Sequence, residues 1–124
     1  MNNKTIGNQF EKEYAEILSK QGFWVTFITP KTTNGSQPCD LIAIKDDIAF
    51  LIDCKTSESN FFPLKRIEQN QREAFKKYKA CGNMNYYLAI KHDGKIYKVD
   101  MNEIDFKQKN INLEGRTYED YSFK

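Results

Sequence analysis

The alternation of apolar and polar positions divides the chain into helical and extended stretches. From Thr5 to Gln21 the residues Ile6, Phe10, Tyr14, Ile17 and Leu18 fall on one stripe when each position is turned by about 100°, which predicts an amphipathic helix stopped by Gly22. Gly22 to Ile28 reads as a strand, in which Phe23 and Trp24 are expected to belong to the core. Residues 30–38 are rich in Thr, Asn, Gly and Ser and read as a loop. Two apolar runs, residues 39–44 and 48–55, are parted by Lys45, Asp46 and Asp47 and predict an antiparallel hairpin. After a turn-like stretch, Leu64, Ile67, Ala74, Phe75 and Tyr78 form the apolar stripe of a helix from Leu64 to about Ala80, with Gly82 as its stop. Residues 86–90 and 96–99 are strands around His92-Asp93-Gly94, a hairpin signal that makes His92 a turn residue rather than a general base. Asp100 is expected to cap a short helix from Met101 to Phe106, and beyond Lys107 the chain is polar, with Leu113, Tyr118, Tyr121 and Phe123 scattered through it. The order predicts one α/β domain over residues 1–124, a mixed five-stranded sheet flanked by helices.

The hairpin carries charges where apolar residues belong. Asp53 and Lys55, two apart, point to one face of their strand and Cys54 to the other. Desolvating either charge costs several kcal/mol unless it is paired or binds a metal. One solution is a structural ion pair at the strand end. The other adds Asp40, which opens the partner strand and can be brought beside Asp53. Two carboxylates and a lysine around one point make a hard-cation site suited to phosphoryl chemistry.

Composition narrows the setting. A 40% hydrophobic content with nine Phe and seven Tyr argues against disorder. The net charge of +2 is too mild to signal nucleic acid, so such a partner would meet a local patch. Lys65, Arg72, Lys76 and Lys79 form one outer strip of the second helix, read either as a solvated face or as a phosphate footprint, and Lys31 in the polar loop could also touch a phosphate. The three cysteines and the single histidine lack metal-ligand spacing, so zinc is not expected and the cysteines read as reduced, buried thiols. With no run long enough to span a bilayer, a cytoplasmic protein is expected.

Asp40 followed by Asp53-Cys54-Lys55 at the end of an apolar strand resembles the signature of the PD-(D/E)XK nuclease superfamily. Gly7 to Glu11, Phe62-Pro63-Leu64 and Asn70-Gln71 sharpen the likeness to RecU-like Holliday-junction resolvases, over roughly residues 7 to 99. The resemblance implies a restriction-endonuclease-like core and a metal-dependent endonuclease that cuts four-way DNA junctions in recombination and repair. It also implies that Glu11, Asp40, Asp53 and the Cys54 backbone carbonyl hold Mg²⁺ or Mn²⁺, that Lys55 serves the attacking water, and that Gln71 faces the site. Periodicity alone leaves Glu11 as a helix-boundary residue and Gln71 as a core amide bonded to backbone. A homodimer is implied as well, because two symmetric nicks resolve a four-way junction. The chain departs from the RecU-like pattern in having only six residues before Gly7 and a short loop at 30–38 in place of a long stalk. Nuclease chemistry survives these departures better than junction specificity, which keeps two alternatives open: a nuclease of other specificity and a non-cleaving branched-DNA binder.

Overall fold

Phe10, Tyr14, Ile17 and Leu18 are all buried along helix α1 (Asn3–Lys20), as the stripe requires. The structure, a computed structural model, describes residues 3–28 and 37–120, except for the side chains of residues 3–8 and of residue 120. Gly22, at a φ of +97° that a side chain would strain, ends α1, and Lys45 Nζ donates to the Gln21 carbonyl at 2.7 Å beside it.

The predicted hairpin is strand β2 (Leu41–Lys45) paired antiparallel with β3 (Ile48–Thr56). Asp46 and Asp47 turn the chain at φ values of 53° and 65°, the left-handed pair that matches the twist of a two-residue hairpin. Strand β1 (Trp24–Phe27) pairs with β2 at one edge. Beyond β3, strand β4 (Phe61–Pro63), a 3₁₀ turn at Leu64–Arg66 and helix α2 (Gln69–Ala80) carry the chain across to β5 (Tyr86–His92), which lies parallel to β3. A parallel neighbour cannot be reached by a tight turn, so α2 is the crossover this pairing demands. Strand β6 (Lys95–Asp100) returns antiparallel to β5 through the expected Asp93-Gly94 turn, with His92 as the last residue of β5.

Side-chain alternation divides the core between the two faces. Leu41, Ala43, Ile52, Cys54, Ala89 and Ile96 pack with α1, while Leu51, Leu88, Ile90 and Val99 pack with Ala74, Phe75 and Tyr78 of α2. On the α1 face the hydroxyls of Tyr14 and Tyr87 satisfy each other at 2.8 Å.

Several expectations change. The sheet has six strands, because β8 (Tyr118–Asp120) adds to β6, and β7 (Asn110–Asn112) pairs with β4 in a separate two-stranded sheet. These strands are three residues long, too short for alternation to register. Leu113 and Ile111 are core residues, whereas Tyr118 is exposed and packs on Tyr97. Helix α2 starts at Gln69 rather than Leu64, since Glu68 and Gln71 form a capping box that fixes its first turn. The short helix after Asp100 is a 3₁₀ turn, Met101–Glu103, capped by the Asp100 side chain as expected. Trp24 is not a core residue but 61% exposed. It stands on the edge strand opposite Ile44, itself 38% exposed, on the face away from α1. Cys39 and Cys54 are buried, but Cys81, just past α2, is exposed.

The central position of β5 and the edge position of Trp24 set opposite expectations. Leu88→Ala, at a fully buried site, should lower the unfolding free energy by about 2–5 kcal/mol, and Trp24→Ala should change it by no more than about 0.5 kcal/mol. Urea melts of the two variants check this.

Candidate active site

Only three polar residues are buried among the described residues, Asp40, Asp53 and Gln71, and all three were singled out by the sequence. The hairpin register explains their meeting. Asp40 directly precedes β2 and its backbone N–H donates to the Ile52 carbonyl at 3.0 Å, which places its carboxylate beside the end of β3. Asp40 Oδ2 then accepts the Cys54 N–H at 2.8 Å, between Asp53 and Lys55. Cys54 itself packs with the α1 cluster, on the face opposite its two charged neighbours.

Lys55 Nζ lies 3.5 Å from Asp53 Oδ2 and donates to Gln71 Oε1 at 3.2 Å. The same Gln71 oxygen accepts the Glu68 N–H at 3.0 Å. Gln71 therefore does both things its place on the stripe left open: it caps α2 through the backbone and it faces Lys55. Asp53 is fully buried, with neither carboxylate oxygen hydrogen-bonded. Burial holds its carboxyl well above the usual range, Lys55 pulls it back, and Asp40 pushes it further up. Glu11, half-buried on α1, is raised to about 7 by burial and by the nearby Asp40 carboxyl, while Lys55 opposes the shift. Three carboxyl groups thus crowd one lysine.

This donor set suits a hard cation. The two buried Asp53 oxygens lack hydrogen-bond partners and all three side chains offer oxygen, the ligand of Mg²⁺ and Mn²⁺. They are not already gathered at one point: no three His, Cys, Asp or Glu side chains among the described residues stand ready to hold a metal ion. Asp40 is turned to other partners, Oδ2 to Cys54 and Oδ1 to Gln37 Nε2 at 2.6 Å.

The basic residues divide. Lys65, Lys76 and Lys79 are exposed, and Lys76 and Lys79 line a groove with Phe106 on one flank of α2. Arg72 lies half-buried there, its guanidinium 4.4 Å over the Phe106 ring and one Nη donating to the Leu64 carbonyl at 3.3 Å. It ties α2 to the segment before β4's partner strand rather than standing out with the lysines. Lys31 lies outside the described residues. Gln37 does not stand out in the sequence, where its only local sign is a polar side chain three residues before Asp40. Neither does Arg66, whose Nη1 donates to the Thr56 carbonyl at 2.5 Å, next to Lys55. Those contacts arise where a loop and a turn fold against the ends of β2 and β3.

The family model described as archaeal Holliday junction resolvase (Hjc) matches residues 2–120. The crossover junction endodeoxyribonuclease Hjc of Methanocaldococcus jannaschii is 28% identical over 110 residues, which span 89% of this chain and 77% of that protein. The solved structure of Archaeoglobus fulgidus Hjc, a Holliday junction resolvase from an archaeal hyperthermophile, has a similar fold, with a TM-score of 0.64 at 20% identity over 82% of this chain and 81% of that one. The matched family is the archaeal one, not the RecU-like branch whose motif order the chain resembles.

The raised carboxyls make stability fall as pH rises. A folded state that holds a proton more tightly than the unfolded chain gains stability at low pH: Glu11's share is full below its ordinary 4.5 and is lost as the pH climbs through about 7. Asp53 acts with the same sign. In divalent-free buffer the urea midpoint should therefore be higher at pH 5 than at pH 8, and Asp53→Asn should raise the midpoint at pH 8 and flatten the difference.

Proposed function

The chain belongs to the archaeal Holliday junction resolvase (Hjc) family, and from that premise we propose that it is a metal-dependent endodeoxyribonuclease that hydrolyses phosphodiester bonds at four-way DNA junctions. The observation that carries the reading is Asp53, a fully buried carboxylate without a hydrogen-bond partner, set between Asp40 and Lys55. A protein keeps such a group only where something else is to neutralise it.

Glu11, Asp40, Asp53 and the Cys54 backbone carbonyl would hold Mg²⁺ or Mn²⁺. When bound, the cation supplies Lewis acidity for a water and for the scissile phosphate. The remaining work belongs to the chain. Lys55, the one ammonium among three carboxyls, orients the attacking water and balances the negative charge that grows on the phosphoryl oxygens. Gln71 fixes the direction of that ammonium through its Oε1 and offers its amide nitrogen to the water or a phosphate oxygen. The capping box anchors Gln71 at the start of α2, so its aim is set before substrate arrives.

The DNA backbone would run over Lys65, Lys76 and Lys79, with Lys31 contributing from the loop; such contacts position a duplex without reading its sequence. Arg72 would support this surface from behind. A four-way junction has two equivalent strands to cut, so a homodimer with a two-fold axis would supply the paired nicks. The motif order shared with RecU-like resolvases supports the same reaction. Buried thiols at Cys39 and Cys54 suit a reducing, cytoplasmic setting, and among the described residues no helix is long and apolar enough to cross a membrane.

Labelled four-way junction, linear duplex, flap and single-stranded DNA incubated with Mg²⁺ test the reading. Paired symmetric nicks confined to the junction are expected, and cutting of all substrates alike would remove the junction specificity. Asp53→Asn and Lys55→Ala should each lower the cleavage rate at least about 100-fold while junction affinity holds. A parallel loss of affinity would take the catalytic roles away from both residues.

A further inference from the structure

Asp40 is held from two sides, and one of them is unaccounted for. Its Oδ2 is fixed by the Cys54 N–H, part of the hairpin itself. Its Oδ1 is fixed by Gln37 Nε2 at 2.6 Å, a side chain from the end of the loop. Gln37 is anchored in turn, because its own carbonyl accepts from Asn70 Nδ2 on α2 at 2.6 Å. The next residue, Pro38, is anchored too, its carbonyl accepting from the Tyr86 hydroxyl on β5. Neighbouring α2 residues thus serve two halves of one site: Gln71 aims Lys55, and Asn70 reaches Asp40 through Gln37.

A carboxylate can rotate about its last bond, and a single backbone donor leaves that rotation open. A second donor on the other oxygen closes it and fixes the plane in which the free lone pairs point. We infer that Gln37 is a positioning residue for Asp40, and that Asn70 holds Gln37 in place so that the loop, the hairpin and α2 set one carboxylate orientation together. This rests on the proposed metal-binding role of Asp40. The Gln37 side chain hydrogen-bonds Asp40, so it works through that carboxylate. Both amides are half-buried at the wall of an open groove of about 430 Å³. Water therefore competes for them, and only the chain of two short hydrogen bonds keeps the geometry.

The inference is tested first without cleavage. In Gln37→Ala and Asn70→Ala the Cys54 amide, which donates to the far oxygen of Asp40, should shift its resonance and exchange its hydrogen faster, at an unchanged melting temperature. In the same variants, the rise in melting temperature on titrating Ca²⁺ should need a higher concentration, by about 10–100-fold, the usual loss when a ligand's supporting hydrogen bond is removed. With Mg²⁺ the junction cleavage rate should fall by a similar factor at constant junction affinity. Gln37→Ala and Asn70→Ala should not add in the double variant, because they act in one chain. An unmoved Cys54 amide, or additive losses, overturns the positioning role. An altered Cys54 amide in the two variants, beside a wild-type protein that neither binds Ca²⁺ nor cuts DNA, would keep the linkage and instead overturn the proposed function.

Discussion

A carboxylate with no exposed surface and no hydrogen bond to either oxygen is the most costly group in this fold, and Asp53 is placed where no reorientation can free it. Its strand, β3, is flanked by β2 on one side and β5 on the other, and its side chain points under α2. Such a charge costs several kcal/mol unless answered. Lys55, two residues on and on the same face, is the nearest answer; at 3.5 Å it offers Coulombic attraction without a hydrogen bond. Much of the surrounding structure follows from keeping that lysine there. Gln71 accepts from it, Glu68 and Gln71 cap α2 around that contact, and the parallel pairing of β3 with β5 requires α2 to cross over the same face.

The arrangement opposes stability and serves chemistry. Burial first, and then the neighbouring Asp40 carboxyl, raises the proton affinities of Glu11 and Asp53, so the folded protein is less stable when those two groups are ionised. Under the proposed function a divalent cation held there would supply the missing positive charge, and the free energy withheld from folding would become affinity for the ion. Asp40 differs in its contacts, since both of its oxygens already accept hydrogen bonds, Oδ2 from the Cys54 N–H and Oδ1 from Gln37.

Around this centre the scaffold is spare. The added strands β4, β7 and β8 are brief pieces, and Phe62 on β4, Ile111 on β7 and Leu113 just beyond it seal the α2 face of the core.

What could be read from the chain alone were the features governed by local periodicity and by the incongruity of charge in apolar runs. The α1 stripe, the two hairpins with their Asp-Asp and Asp-Gly turns, and the misplaced Asp40, Asp53, Lys55 and Gln71 were all legible, because each departs from its immediate neighbours in a way that a packed core must explain. Strands of three residues were not legible, since they repeat too little to stand out. Nor was the exposure of Trp24, because its place on an edge strand depends on the order in which the strands pair. The link from Asn70 through Gln37 to Asp40 joins three segments distant in sequence, and Arg72 settled on Phe106 only once the chain after β6 had folded back against α2. Hydrogen bonds and ring contacts act over a few ångströms in space, so the sequence determined which charges needed partners and the tertiary structure decided which residues became those partners.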